Sequence, residues 1–535
     1  MPEGCVPMAD GEYEVVVMGT GFTECLLSGL LAIMGMKVLV VDRNGYYGGE
    51  AASLNLTDLY KKFMNGESPQ ADFFAHIGGA SGPAADRDFN VDLVPKFIMA
   101  HGNLVKILLH TKATRYLDFK AVEGSYVVKK GTVCKIPVTG TEVLASGLMT
   151  LFEKRRFRNF LLYMADYDES EPATHKGRDL KTMTAAQLYA AFGLDKYTQE
   201  FIGHAMALYM NDEYMNQPAI HLINAVQLYA NSLTHYENAP SPYLYPVYGL
   251  GGLPESFSRL AAINGGIFML NRTVDEILFD ADGKAWGIRG GNEVAKASIF
   301  VGDPSYFPSE MVQATGQVVR SICFLDHPVP NVGDCGSAQI IIPGSQCGRT
   351  NDVYVSIMDK QLEVVPPNIT LAMVSTKVEG HQNPVAEVDA GIELLGPVSP
   401  LPSPRARLAH NAPRPTCRPE LHCPSRINTH FMVPRFSIAS TQSAIPSARS
   451  AMGSTISALS PRATTNPHIS RLQPTMCSIS TSGLLARNSI CPSTRMCHNR
   501  AITEAAAGYF HSPRLCRYRC WSFRAEGVSS TTSGQ

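Results

Sequence analysis

The chain lacks long apolar runs, an export signal and paired cysteines. No window of its 535 residues approaches the roughly 18 consecutive apolar residues that indicate a membrane-spanning helix. The opening stretch, MPEGCVPMADGEYE, has neither the basic start nor the apolar core of a secretory signal, so we expect a cytoplasmic protein. Thirteen cysteines without paired spacing favour free thiols over a disulfide framework or a zinc site.

The common catalytic motifs are also missing. The sequence contains no GxxxxGK[ST] phosphate-binding loop, no HExxH metal-binding helix and no GxSxG nucleophile turn. His101, His204 and His221 stand alone in the sequence, and we interpret each as a core or surface residue rather than a catalytic base. These absences favour a binding protein over an enzyme, with no catalytic residue and no metal expected.

From Ser399 onward the chain has no lysine and no aspartate. Sixteen arginines against three glutamates give this segment a net charge of +13, whereas residues 1–398 carry −14. Serine, proline and threonine dominate the segment, and no period of 2 or 3.6 is sustained. Binding to nucleic acid or anionic lipid is one interpretation. A disordered extension or an out-of-frame translation fits better, so we expect 399–535 to form no packed domain.

What is present begins with the stretch VVVMGTGFTECLLSG, residues 15–29. Valines lead into Gly19 and Gly21 and an apolar stretch follows, which is typical of the strand, turn and helix of a dinucleotide-binding unit. A second strand ends at Asp42, where an acidic side chain commonly holds a ribose, and the pair Gly48 and Gly49 follows, as in flavin oxidoreductases. These features predict an α/β fold with an FAD/NAD(P)-binding (Rossmann-like) domain.

The third glycine of the motif is replaced by Glu24. This position lies in the first turn of the helix whose N-terminus would receive a pyrophosphate, so a carboxylate there should repel the ligand. The sequence thus predicts the fold without its cofactor. An FAD-dependent oxidoreductase remains the alternative.

The middle of the chain, residues 137–237, is predicted to be a helical domain inserted into the first. A capping box at Thr139–Glu142 should begin a helix with one apolar stripe, formed by Leu144, Leu148, Leu151, Phe152, Phe157, Phe160, Leu161 and Met164. Thr184, Asp195 and Pro218 should begin the second, third and fourth helices. The third helix, begun by Asp195, should carry Leu208 on its apolar face. Residues 12–136 and 238–398 then form the discontinuous first domain, preceded by an N-terminal extension at 1–11.

Several motifs together resemble the Rab GDP dissociation inhibitors, with the Rab escort proteins as relatives. They include MGTGFTECLLSG, VDRNGYYGGE, FNVDLVPKFIMAHG, FEKRRFRNFLLY, IGHAMALYMNDEY and SPYLYPVYGLG, in the family's order between residues 12 and 398. The resemblance implies a flavin-oxidoreductase-like fold that uses no cofactor. It implies binding of prenylated, GDP-bound Rab GTPases, slowed GDP release, and their extraction from membranes in vesicular transport, with only transient membrane contact and no nucleic acid.

The resemblance also assigns residues. The family's Rab-binding positions fall on Tyr47, Arg87, Arg259 and Met269, and on Gly252 of GLGGLP, where the family has glutamate. The loss of that carboxylate puts the strength of Rab binding in question. For the geranylgeranyl lipid, which the family holds in its helical domain, we expect contact from the helix faces that carry Leu148, Phe160 and Met206.

Overall fold

The computed structural model describes residues 4–63, 84–147, 149–307, 316–380, 384–396 and 429–434. Its α-helices are α1 (Phe22–Ile33), α2 (Leu56–Phe63), α3 (Asn103–Thr111), α4 (Gly140–Ala145), α5 (Leu151–Asp166), α6 (Ala185–Phe192), α7 (Lys196–Glu200), α8 (Ala219–Leu233), α9 (Gly252–Ile263) and α10 (Asp389–Glu393). Its strands are β1 (Val6–Glu12), β2 (Val15–Met18), β3 (Val38–Val41), β4 (Ser53–Leu54), β5 (Val91–Asp92), β6 (Ile98–Met99), β7 (Phe119–Ala121), β8 (Gly124–Lys129), β9 (Thr132–Lys135), β10 (Tyr243–Pro246), β11 (Ile267–Met269), β12 (Glu276–Phe279), β13 (Ala285–Gly290), β14 (Glu293–Lys296), β15 (Ile299–Gly302), β16 (Gln317–Leu325), β17 (Ser337–Ile342), β18 (Val353–Met358), β19 (Thr370–Lys377) and β20 (Thr429–Pro434).

A parallel sheet in the order β11-β3-β2-β15 lies at the centre of the first domain. The strand, turn and helix predicted from residues 15–29 are confirmed as β2 and α1. Every residue of β2 and β3 is buried, because helices cover one face and a second sheet the other. Gly29 lets α1 approach α9 closely, since a Cβ there would lie 3.2 Å from the Phe257 ring.

The second sheet has the order β1-β14-β13-β12. Its strand β1 comes from the segment that we expected to be an N-terminal extension, residues 1–11. Met8 in this strand is completely buried and packs in one cluster with Val16, Leu39 and Ile288. The segment therefore contributes a strand and a core side chain to the first domain.

The third sheet has seven strands in the order β20-β16-β19-β18-β17-β8-β9. The apolar stretches at 339–343, 352–358 and 369–376 coincide closely with strands β17, β18 and β19. The edge strand β20 pairs with β16 and is the part of 399–535 that the structure describes. The expectation of an unpacked tail otherwise concerns residues outside the described ranges.

The helical domain packs around one apolar cluster that includes Phe157, Tyr189, Ile223 and Val226. The capping box of α6 is confirmed, with reciprocal hydrogen bonds between Thr184 and Gln187. The prediction of one long helix with a continuous apolar stripe after Thr139 is wrong. α4 ends at Ala145, Thr150 caps a separate helix α5, and the side chains of two stripe residues are exposed: Leu151 and Phe152.

The third predicted helix also ends sooner than its apolar pattern suggested. After α7 the backbone continues as a π-helix, Phe201–Met206. Leu208 follows this turn with a φ of +60°, so it lies outside the helix that we expected to carry it. The left-handed conformation reverses the chain toward the third sheet, where the Asp352 amide donates a hydrogen bond to the Met210 carbonyl.

Candidate functional site

The glycine turn after β2 is filled by side chains of the protein itself. Glu24 is buried, and its Oε2 lies so close to Gly21 that even a Cβ at Gly21 would collide with it. A Cβ at Gly19 would lie 3.3 Å from the ring of Tyr306. Burial raises the pKa of Glu24 to about 7, and the nearby carboxylates of Asp303 and Asp42 act in the same direction.

The carboxylate of Asp42 accepts hydrogen bonds from residues of the protein itself. Its Oδ2 accepts hydrogen bonds from the Thr20 amide at 2.7 Å and the Thr20 hydroxyl at 2.5 Å, and its Oδ1 accepts from the Asn44 amide at 2.8 Å. The amide of Gly48 donates to the carbonyl of Thr20 at 2.9 Å, so the second glycine pair closes over the first. Gly48 and Gly49 both have positive φ. These residues do not fit a dinucleotide. The Glu24 side chain fills the glycine turn that would bind the pyrophosphate, and the Asp42 oxygens that would bind the ribose already accept hydrogen bonds.

The residues predicted to bind the GTPase lie on the surface of the first domain. Tyr47 follows β3 and packs edge-on against Phe268, with ring centroids 5.9 Å apart. Burial is the main cause that raises the pKa of Tyr47. Met269 is half-buried in β11, beside β3.

The other predicted positions lie on α9 and at a neighbouring turn. Arg259 is exposed, and its guanidinium lies 4.7 Å from the centre of the Tyr116 ring. Gly252 is the first residue of α9, and a Cβ there would lie 3.0 Å from Cδ2 of Leu117. The structure therefore places Tyr47 and Met269 by β3, and Arg259 and Gly252 by the 116–117 turn.

Arg87 is one of the residues that line a surface groove of about 360 Å³. No motif in the sequence marked the other residues that line this groove, which are Asp88, Asn90, Tyr248, Lys360, Glu363, Val365, Pro366 and Pro367. Tyr248 is 61% exposed and has a φ of +71°, which is unusual for an aromatic residue. An exposed arginine and tyrosine beside apolar residues are typical of protein-binding surfaces.

An apolar pocket lies in the helical domain. Its cavity volume is about 100 Å³, within about 810 Å³ of empty space that includes solvent at its mouth. The lining residues come from the segment before α4 and from α4, α5, α8 and the π-helix: Ile136, Pro137, Val138, Thr139, Val143, Phe157, Leu161, Met164, Ala165, Phe201, Met206, Val226, Gln227, Tyr229, Ala230, Leu233 and Thr234.

Of the three predicted lipid-binding residues, Met206 lines this pocket. Phe160 does not, because it is fully buried among Tyr189 and Phe192 in the helical core. Leu148 lies outside the described residues. Phe157, Leu161 and Met164, which the same apolar stripe marked, line the pocket instead of Phe160.

His204 joins the pocket-lining π-helix to the third sheet. Its Nδ1 lies 2.8 Å from Oδ2 of Asp352, and its Nε2 lies 3.1 Å from Oδ1 of Asp212. Burial lowers the pKa of His204, but hydrogen bonds and charges from Asp352 and then Asp212 outweigh it and raise the pKa to about 9. Its neighbours Phe201 and Met206 point to the pocket, so this contact fixes the pocket wall to the first domain.

Within the described ranges, no helix has the length and apolar character to cross a membrane. The same ranges contain no group of three His, Cys, Asp or Glu side chains placed to hold a metal ion.

Known proteins resemble this chain over most of its length. The model of the GDP dissociation inhibitor family matches residues 9–401. A guanosine nucleotide diphosphate dissociation inhibitor of Arabidopsis thaliana is 48% identical over 388 residues, covering 72% of this chain and 84% of that protein. "Probable secretory pathway GDP dissociation inhibitor 1" of Schizosaccharomyces pombe is 48% identical over 390 residues, covering 73% and 85%. The crystal structure of a Rab GDI from Plasmodium falciparum is 42% identical, with a TM-score of 0.66, and covers 72% of this chain and 87% of that one.

Proposed function

The chain belongs to the GDP dissociation inhibitor family, and from this membership we propose that it binds prenylated, GDP-bound Rab GTPases and withdraws them from membranes. Binding slows the release of GDP and returns the GTPase to the cytoplasm for another round of vesicular transport. The observation that carries the proposal is the pairing of two surfaces in one chain, an apolar pocket in the helical domain and an exposed polar and aromatic surface on the first domain.

The apolar pocket supplies the lipid contact. Removing each CH₂ group of a geranylgeranyl chain from water stabilises the complex by roughly 0.8 kcal/mol, so a C20 lipid needs an apolar enclosure outside the bilayer. Methionines and leucines line the pocket, and unbranched or flexible side chains can repack around a chain-like ligand. Because the cavity volume is only about 100 Å³, we expect α5, α8 and the π-helix to separate when lipid enters.

The first domain supplies the protein contact. Tyr47, Arg87 and Arg259 present aromatic and guanidinium groups, which often dominate the binding energy of interfaces. Arg259 is held over Tyr116 and so loses little freedom on binding. Gly252 contributes no carboxylate to this surface.

The proposed carrier performs no chemistry. Glu24 and Asp42 leave no place for a dinucleotide, which disfavours an FAD-dependent oxidoreductase. A visible spectrum of the purified protein with stoichiometric flavin absorbance would instead favour that alternative. Replacing Glu24 with glycine should not restore flavin binding, because Tyr306 and the Asp42 contacts remain.

The proposal is tested by incubating the protein with vesicles that carry prenylated Rab loaded with GDP or GTP. We expect the GDP form to move into the soluble fraction and the GTP form to stay on the vesicles. Equal affinity for both nucleotide states, or failure to release any Rab from the vesicles, would contradict the proposal.

A further inference from the structure

The first turn of α5 presents two apolar side chains to solvent. Phe152 is 79% exposed and Leu151 is 69% exposed, the highest values among the large hydrophobic side chains of the described residues. Water disfavours such exposure of adjacent side chains at a helix end unless another surface covers them. The cap on Thr150, whose hydroxyl accepts a hydrogen bond from the Glu153 amide, holds the turn in place.

Basic residues follow these two side chains directly. Lys154, Arg155, Arg156 and Arg158 give the first two turns of α5 four positive charges. The acidic residue among them, Glu153, is buried: it pairs with Arg156 at 2.6 Å and accepts a hydrogen bond from the amide of Asp195. Its charge offsets that of Arg156, so four basic residues and one acidic residue leave the first two turns of α5 with a net charge of +3.

The turn between β8 and β9, which lies against Tyr197 of helix α7, extends the positive surface. Tyr197 is 38% exposed, and the ammonium groups of Lys129 and Lys130 each lie 5.1 Å from the centre of its ring. Lys196 precedes this tyrosine, is largely exposed, and pairs with Glu200 at 3.7 Å. Tyrosine with flanking lysines is typical of proteins that contact the interface between lipid headgroups and acyl chains.

We propose that the first turn of α5, with Leu151 and Phe152 inserted and Lys154 and Arg155 above them, docks on an anionic lipid bilayer. The two apolar side chains enter the headgroup region, and the positive charges attract the lipid phosphates and carboxylates. Residues 1–398 carry a net charge of −14, so within this part of the chain a local basic surface decides which face approaches such a bilayer.

The first turn of α5 lies close to the apolar pocket, so docking there would assist lipid extraction if the proposed function is correct. Phe157, Leu161 and Met164 of the same helix line the apolar pocket. At 1.5 Å per residue, Phe157 lies roughly 8 Å along the helix axis from Phe152. Docking through this turn would place the pocket beside the bilayer from which a prenyl chain must be withdrawn.

The test uses the full chain without any GTPase, so it is independent of Rab binding. Co-sedimentation is measured with vesicles of phosphatidylcholine alone and of phosphatidylcholine mixed equally with phosphatidylserine. We expect binding to the anionic vesicles only. The double variant Leu151→Ser/Phe152→Ser should lower the partition coefficient roughly tenfold or more, and Arg155→Gln about fivefold.

Leu109→Ser is the matched control, because Leu109 is also an exposed leucine on a helix, at 58%, but α3 has no second exposed large apolar side chain and has one lysine, Lys106, on the same face. It should bind vesicles like the unchanged protein. Equal binding by the double variant, or equal binding to neutral and anionic vesicles, would overturn the docking proposal. If the protein binds anionic vesicles as expected but has no affinity for soluble Rab, the result would support the docking proposal and contradict the proposed function.

Discussion

Gly252 is the residue at which a single side chain should change binding most directly. Its φ is not positive, so the backbone accepts other residues, and the one close neighbour of an added Cβ is the flexible end of Leu117. A carboxylate in the first turn of α9 would also interact favourably with the positive end of the helix dipole. The position therefore tolerates the family's glutamate.

We predict that Gly252→Glu raises the affinity for GDP-bound Rab by roughly three- to tenfold, since a charged contact at an interface is worth on the order of 1 kcal/mol. Affinity is measured by fluorescence titration at two salt concentrations. Gly252→Gln is the control, because it adds a side chain of nearly the same size without charge. An equal gain for both variants would show that packing rather than charge is responsible.

At the same scale, the sequence identified the residues of the glycine turn but not their partners. The sequence showed Glu24 as a departure from the glycine motif. It could not show that the ring of Tyr306, which is distant along the chain, packs against the same turn. For Phe160 the sequence predicted burial correctly but not the neighbours of the side chain. Its apolar stripe gave its burial, but the pattern could not tell which side of a buried helix faces a pocket and which faces a neighbouring helix.

Among the structural elements, the apolar pocket depends on α8 and its small residue Ala230. We predict that Ala230→Phe weakens binding of prenylated Rab by tenfold or more and leaves unprenylated Rab unaffected, because the larger side chain occupies space that the lipid needs. The two affinities are measured by titration with each form. Ala191→Phe on the exposed face of α6 is the control and should change neither.

The π-helix and the third sheet are joined through His204, which the sequence could not show because Asp352 is distant along the chain. The folded-state pKa of His204, about 9, lies above its ordinary value of 6.5. The protonated histidine therefore stabilises the fold fully below pH 6.5, and this contribution is lost as the pH rises through 9.

We predict that His204→Gln lowers the free energy of unfolding by about 2 kcal/mol near pH 6 and by much less near pH 10. Urea unfolding at the two pH values measures the difference. His221→Gln, an exposed histidine on α8, should have little effect at either pH. A loss of stability for His204→Gln that is the same at both pH values would mean that the histidine acts by packing alone.

For the whole molecule, individual strands and helices could be predicted from the sequence more easily than either binding surface. Strand and helix periods follow from local side-chain alternation, so β2, β3, α6 and α8 could be recognised. The groove around Arg87 combines residues 87–90, 248 and 360–367, and only the folded chain brings these segments together. A single sequence carries no direct signal for such a combination.

Tyr47 packs on Phe268 of the parallel sheet, whereas Ala230 lines the pocket among the helices. Their contributions to one complex should therefore add as free energies. We predict that Tyr47→Ala weakens prenylated and unprenylated Rab by the same factor, and that the double variant with Ala230→Phe loses the product of the two single effects for prenylated Rab. The nearby Tyr46→Ala, which also removes a partly exposed ring, should have a smaller effect on both forms. Titrations of the four proteins against both forms complete the cycle. A double variant that is no weaker than Ala230→Phe alone would mean that the GTPase contact forms only after the lipid is bound, and the carrier would then depend on one surface rather than two.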